Sequence, residues 1–183
     1  MAGIAAKSYS DALFSLGLEE NKLDDYKRDI LFIDETLKAY PDLMRVLTHP
    51  KIHKEEKKQT LETVFKDEIQ HMVLNFLKLL IDKSRFQSFH DITKAFVKEY
   101  NRVNQIEVAY VKSAKELDET DLVRLQAMLE KKLQKKVELK VTQDPSLLAG
   151  IRIKINDTVL EYSAKNRIEN LKRRAQNETV QES

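Results

Sequence analysis

The chain contains no cysteine and no tryptophan, and its 183 residues include only three glycines and three prolines. Without cysteine there is no disulfide, no thiol nucleophile and no thiolate metal ligand, which fits a reducing compartment. The glycines, at positions 3, 17 and 150, are too scattered for a phosphate-cradling loop. Such a loop needs several within a few residues so that backbone amides can approach the anion. No window approaches the ~18 consecutive apolar residues that would span a bilayer. The opening MAGIAAKSYSDALF is broken by Lys7 and Asp11, so no signal peptide is expected. Charge of one sign is missing as well. Thirty-two Lys and Arg stand against 30 Asp and Glu, and the net +2 gives no general pull toward nucleic acid or an anionic membrane.

What is present is helix. With 42% hydrophobic and 34% charged residues, the composition is that of a helix-dominated chain with a heavily charged surface. Apolar spacing near 3.6 runs from the start to about residue 104. Ala5, Tyr9, Ala12, Leu13 and Leu16 mark a first helix, and Leu23, Tyr26, Ile30, Ile33 and Leu37 a second that Asn21 can cap. Pro41 enforces a break near Tyr40, because the residue before proline avoids the helical region. A short turn or helix over 42–47 follows, and Pro50 breaks the chain again. Helices are then expected over 54–65, 68–81 and 86–103, the last with Phe86, Phe89, Ile92, Phe96, Tyr100 and Val103 on one stripe. Five or six helices make an N-terminal bundle, 1–104.

At Gln105 the period falls to 2, and Ile106, Val108 and Tyr110 alternate with Glu107, Ala109 and Val111 as in a strand. Asp118 with Asp121 reads as a helix start, and Leu122, Leu125, Leu129 and Leu133 as that helix's buried face. Two more alternating runs, Val137, Leu139, Val141 and Ile151, Ile153, Ile155, are separated by Asp144, Pro145 and Gly150. Asn156 and Asp157 turn the second into a hairpin ending at Val159 to Glu161, and Ser163 can cap a closing helix over 164–174. The expected fold class is therefore mainly α with a small α+β part. The helical bundle is followed by a sheet-plus-helices domain over 105–176 and a frayed tail over 177–183.

Chemistry of a catalytic kind has no candidate. His49 and His53 lie four apart, but Pro50 interrupts any regular helix between them and no glutamate completes a zinc-protease pattern; His71 and His90 stand alone. Carboxylate pairs such as Asp24 with Asp25 and Glu55 with Glu56 sit among lysines, as on a solvated face. The pairs Lys57–Lys58, Lys131–Lys132, Lys135–Lys136 and Arg173–Arg174 could touch phosphates, but acidic residues interleave them and no aromatic pairing supports base stacking. The positive signal is surplus apolar surface. Met72 to Ile81 is apolar at nearly every position except Asn75 and Lys78, and the first segment adds Ile4, Ala6, Phe14 and Leu18 to its stripe. Each alone reads as a buried helix; together they leave room for a groove that accepts a partner helix.

These residues carry a resemblance. Tyr9 with Ala12, Leu13 and Phe14; Leu47, Pro50 and Ile52; Asn75, Phe76 and Leu77 with Arg85; Ser113, Ala114 and Leu117; and Asp144, Pro145, Ser146, Leu147, Gly150, Asp157, Ser163, Arg167 and Leu171 follow one another in the order and spacing of a known family. Over almost its full length the chain resembles the delta subunit of the F-type ATP synthase, the oligomycin-sensitivity-conferring protein of mitochondria. Ser10, Ala149, Glu161 and Tyr162 depart from the family's usual residues.

The resemblance implies a non-catalytic stator subunit with no cofactor and no metal, present in one copy per complex. It would link the catalytic head, through the alpha subunit N-terminus, to the b subunit of the peripheral stalk, so that proton-driven rotation is coupled to ATP synthesis. In a bacterium it would be a peripheral protein on the cytoplasmic face of the cell membrane, without inserting into it or binding nucleic acid. The family's first and fifth helices accept the alpha helix, which points to Ala6, Ser10, Leu13, Gly17, Asn75, Leu79 and Asp82. The stalk contact falls on Gly150, Ile151, Ile153, Ser163, Arg167 and Leu171. The reading from another class is a soluble adaptor or nucleic-acid-binding helical protein, with an enzyme a distant third.

Overall fold

A computed structural model describes residues 2–145, 147, 150–156 and 158–163. The chain divides into two compact units, Met1–Asn101 and Arg102 onward. The first holds helices α1 (Ala2–Glu19), α2 (Leu23–Ala39), α3 (Pro41–Thr48), α4 (Lys54–Phe65), α5 (His71–Asp82) and most of α6 (Phe89–Val103). Residues Phe86–Ser88, expected as the first turn of α6, form a separate tight 3₁₀ turn. The core is built from one face of every helix, with Leu13, Tyr26, Ile30, Ile33, Leu47, Leu61, Phe65, Leu77, Leu80, Phe89, Ile92 and Phe96 all but inaccessible. Phe14 meets Phe96 edge-on at 5.5 Å, and Phe86 stacks on Phe89 at 5.8 Å.

Breaks fall where the prolines require them. Tyr40 leaves the helical region before Pro41, which opens α3 at a position where its missing N–H is no loss. Asn21 does not cap α2. Lys22 occupies the cap position without a side-chain bond, and Asn21 is left-handed at φ 55°. There the Asn21 N–H donates to Leu18 O (3.1 Å) and the Lys22 N–H to Gly17 O (2.9 Å), which closes the C-terminus of α1. Ser84 does the same for α5, with its own N–H on Ile81 O and that of Arg85 on Leu80 O. A chain this poor in glycine ends its helices on polar residues instead.

Helix α5 begins three residues later than its apolar pattern indicates. The Gln70 N–H at its start donates to Oδ2 of Asp29, 2.7 Å away on α2, and Asp29 is buried. A carboxylate from another helix thus satisfies an amide that local sequence leaves open.

The second unit contains β1 (Ile106–Ser113), α7 (Glu119–Leu133), β2 (Lys136–Gln143), β3 (Gly150–Ile155) and β4 (Thr158–Ser163), with sheet order β2-β1-β3-β4. β1 and β2 are parallel, joined through α7, and the β1–β3 and β3–β4 pairs are antiparallel. Asp118 caps α7 by accepting from the Asp121 N–H at 2.7 Å. Leu125 and Leu129 pack with Ala109, Val111, Val137, Ile153 and Ile155 into a second core, so the buried face of β1 is the Ala109 parity and Tyr110 is exposed. Thr158 follows Ile155 in register across a two-residue turn, with Asn156 left-handed. The expected closing helix and tail lie outside the described residues.

Candidate functional site

Helices α1 and α5 meet where Tyr9 approaches Phe76 edge-on, ring centres 6.4 Å apart. The four α1 positions expected to line a groove point the other way. Ala6, Ser10, Leu13 and Gly17 are buried, and a Cβ on Gly17 would stand 3.0 Å from Leu23 Cδ1 and 3.2 Å from Tyr26 Cδ2. The smallness of that stripe serves close packing of α1 on its own bundle, because an internal helix contact needs small residues as much as a docking site does. A partner could reach those side chains only by opening the core.

The accessible face of α1 is one register over: Tyr9 and Leu16 are half-buried and Ala12 is exposed, at helical spacings of three and seven residues. On α5 the expected positions do face solvent. Asn75, Leu79 and Asp82 are exposed, and Leu79 keeps 42% of its surface in water. Val73, Leu74, Phe76, Leu77, Leu80 and Ile81 of the same helix are buried, so α5 spends nearly all its apolar residues on the core and retains this one leucine outside. Asn75 bonds the His71 ring at 3.3 Å. Asp82 is less free: its carboxylate takes Lys58 Nζ at 2.7 Å and its carbonyl accepts from Lys54 Nζ at 2.6 Å.

In the second unit Gly150 sits at φ 97°, a conformation L-residues rarely adopt, and its carbonyl accepts from the Ala114 N–H at 3.3 Å. Ile151 is half-buried opposite Ser113, whereas Ile153 is fully buried opposite Val111. Ile153 therefore belongs to the core and offers no surface. Ser163 pairs with Gly150 through the backbone; its side chain, Arg167 and Leu171 lie outside the described residues.

The titratable groups are spent on structure. Asp34 accepts from Lys38 Nζ at 2.5 Å and pairs with His90 Nδ1 at 2.8 Å, so His90 is not solitary. Tyr26 donates to Glu20 at 2.7 Å, and burial, then the bonded carboxylate, raise its phenol above the usual range. Glu107 is held below the usual carboxylate value by Lys135 at 2.6 Å and then by Asn156 at 3.0 Å. Lys78 lies against Glu62 and, by its hydrogen bond, lowers that carboxyl too. Among the described residues no three His, Asp or Glu converge on a metal position, and no helix is long and apolar enough to cross a membrane.

Residues 5–175 match the family described as ATP synthase delta (OSCP) subunit. The chain belongs to that family. It is 36% identical over 169 residues to the ATP synthase subunit delta of Alkaliphilus metalliredigens, covering 92% of this chain and 93% of the relative. It is 32% identical to that of Clostridioides difficile over 94% and 96% of the two chains. A chain of the Toxoplasma gondii mitochondrial ATP synthase hexamer shares the fold, with a TM-score of 0.71 at 16% identity over 93% and 96% of the two chains. The family is a non-catalytic subunit of the F-type ATP synthase, and this chain is a stator subunit of that complex.

Proposed function

We propose that the chain joins the catalytic head to the peripheral stalk by two separate contacts. The first unit takes the amphipathic N-terminal helix of the alpha subunit along Tyr9, Ala12, Asn75 and Leu79; the second takes the b subunit near Gly150 and the sheet edge that follows it. The observation that carries this is the outward Leu79 on α5, a helix that meets Tyr9 of α1 at Phe76 and whose other apolar residues are mostly packed into the core. A helix laid on such a strip gains affinity from apolar burial, with a few central anchors carrying most of it. Two independent cores allow each contact to be held without rebuilding the other. In a bacterium the complex would hold this subunit peripherally at the cytoplasmic face of the cell membrane.

The test is binding of the full chain to catalytic heads that carry or lack the alpha N-terminal residues. Binding to the intact head and loss on truncation is the expected result; equal binding would overturn the head contact. Stalk binding is read separately, with Gly150→Val, in which a β-branched residue is forced into a left-handed backbone. Unchanged b affinity in a folded variant would remove that contact. Tight, steeply salt-dependent binding to DNA or RNA would favour the nucleic-acid reading instead.

A further inference from the structure

The sheet of the second unit has two sides, and among the described residues α7 alone contributes a helix to its core. Residues of the Ala109 parity face that helix, so alternation turns Ile106, Val108 and Tyr110 of β1 to the opposite side. Ile106 and Val108 are half-buried there, and Tyr110 keeps 54% of its surface in water. An apolar strip thus runs down an inner strand of an open face.

Basic residues flank the strip. In register, Tyr110 stands between Lys140 of β2 and Lys154 of β3, and Ile106 lies beside Lys136 of β2. These three lysines are exposed and make no hydrogen bond or ion pair among the described residues. The other charges along these strands are matched or engaged. Lys112 is held by Asp144 at 3.2 Å, Arg152 has Glu161 opposite it in register, and Glu138, beside Val108, is itself engaged. Neighbouring strands are ~4.8 Å apart, so the backbones of Lys140 and Lys154, one strand to either side of Tyr110, are ~10 Å apart, about the width of an α-helix.

The middle of a sheet has no free backbone groups, so an extended peptide finds nothing to pair with on this face. A helix laid along β1 buries the strip and completes the second layer. Two copies of the face would set lysines against lysines. A single-stranded nucleic acid would find one aromatic platform, followed by two aliphatic residues on which no base stacks.

We infer that the open face takes an amphipathic helix, with an apolar seam over Ile106, Val108 and Tyr110 and acidic residues on both flanks reaching Lys140 and Lys154. On the reading that the second unit binds the b subunit, that helix belongs to b. Gly150 shares the parity of Lys154 on β3, so the face is continuous with the stalk contact proposed there.

The chain has no tryptophan, so Tyr110→Trp places a single reporter on the face. In the free full chain its emission should be that of indole in water, open to acrylamide. Detergent-solubilised full-length b subunit should shift the emission to the blue and cut quenching severalfold. Emission already shifted in the free chain would assign the face to the chain's own C-terminal residues, and a shift that follows protein concentration without b would assign it to a second copy; either overturns the inference. Calorimetric titration with b should show roughly tenfold weaker binding for Tyr110→Thr and for Lys140→Glu with Lys154→Glu, the second loss shrinking between about 50 and about 300 mM salt. Lys140→Arg with Lys154→Arg should bind as wild type does, as should Val123→Gln on α7, where Val123 is 61% exposed. Melting temperatures within a few degrees of wild type establish that the variants fold. Wild-type affinity in the Thr and Glu variants would overturn the face and leave the stalk reading standing, whereas no binding of b by the unaltered chain would overturn both. An oligothymidylate that binds more tightly than b, and is lost in Tyr110→Thr, would overturn it in favour of a nucleic acid.

Discussion

By sequence Leu79 and Leu13 are equal candidates for the groove, and the structure gives them opposite exposures, whose consequences one pair of variants separates. Leu13 is 1% exposed and Leu79 is 42% exposed. Full burial of a leucine is worth ~1.5–3 kcal/mol, so covering what remains open on Leu79 contributes about 1 kcal/mol to a docked helix. Leu79→Ala should therefore weaken an alpha N-terminal peptide roughly fivefold. Leu79→Glu, which sets an unpaired carboxylate under that helix, should cost about 2 kcal/mol or more, over tenfold. Leu13→Ala should instead remove ~2–5 kcal/mol of folding stability through the cavity it leaves, lowering Tm by ~10 °C or more. Below its melting temperature it should bind the peptide almost normally. The assays are calorimetric titration of the peptide and thermal unfolding on the same samples. Wild-type affinity in an equally stable Leu79→Glu protein would take Leu79 out of the interface. A Leu79→Ala melting point as low as that of Leu13→Ala would refute the assignment of roles.

Asp29→Ala strands the Gln70 N–H and should cost about 2–4 kcal/mol in urea unfolding, with faster hydrogen exchange at the first turn of α5 than at its end. Glu107 has a depressed folded pKa, so its contribution is present above the unfolded carboxylate value and lost as pH falls. Glu107→Gln should destabilise the second unit by about 1 kcal/mol at neutral pH, with the gap closing below pH ~4 in denaturant titrations at several pH values. Ser84→Gly and Gln105→Gly, at left-handed φ of 54° each, should stabilise by ~0.5–1 kcal/mol in the same unfolding assay.

Legibility in the sequence followed the range of the interaction. The proline breaks, the α7 cap at Asp118, the change of period at Gln105 and the hairpin at Asn156 are local, set by backbone restrictions within a few residues, and they were readable. The parity of β1 was open, because Ile106, Val108 and Tyr110 are as apolar as Ala109 and Val111, and only packing against Leu125 and Leu129 decides it. The orientation of α1 was hidden for the same reason, since both its stripes are apolar or small. Bonds between distant positions, Asp29 to Gln70 and Asp34 to His90, leave no periodic trace at all.

Those hidden bonds bear on the docking face. Helix α2 carries two mostly buried carboxylates: Asp29 fixes the start of α5, and Asp34 holds His90 near the start of α6. Apolar packing alone is non-directional and lets a helix slide or rotate at small cost. A buried carboxylate bonded to one specific amide does not: any shift breaks that charge-assisted bond and strands the Gln70 N–H, even though Arg28 stays paired with the other oxygen of Asp29 at 3.1 Å. The register of α5 against the bundle is therefore set by Asp29, and with it the outward direction of Asn75 and Leu79. If so, Asp29→Asn, which keeps the shape and an acceptor but not the charge, should retain the fold yet let the start of α5 move. The alpha peptide should then bind severalfold more weakly although every residue it touches is unchanged. Calorimetry with that peptide, at a temperature where the variant is fully folded, checks it; wild-type affinity would show that apolar packing holds α5 in register without Asp29.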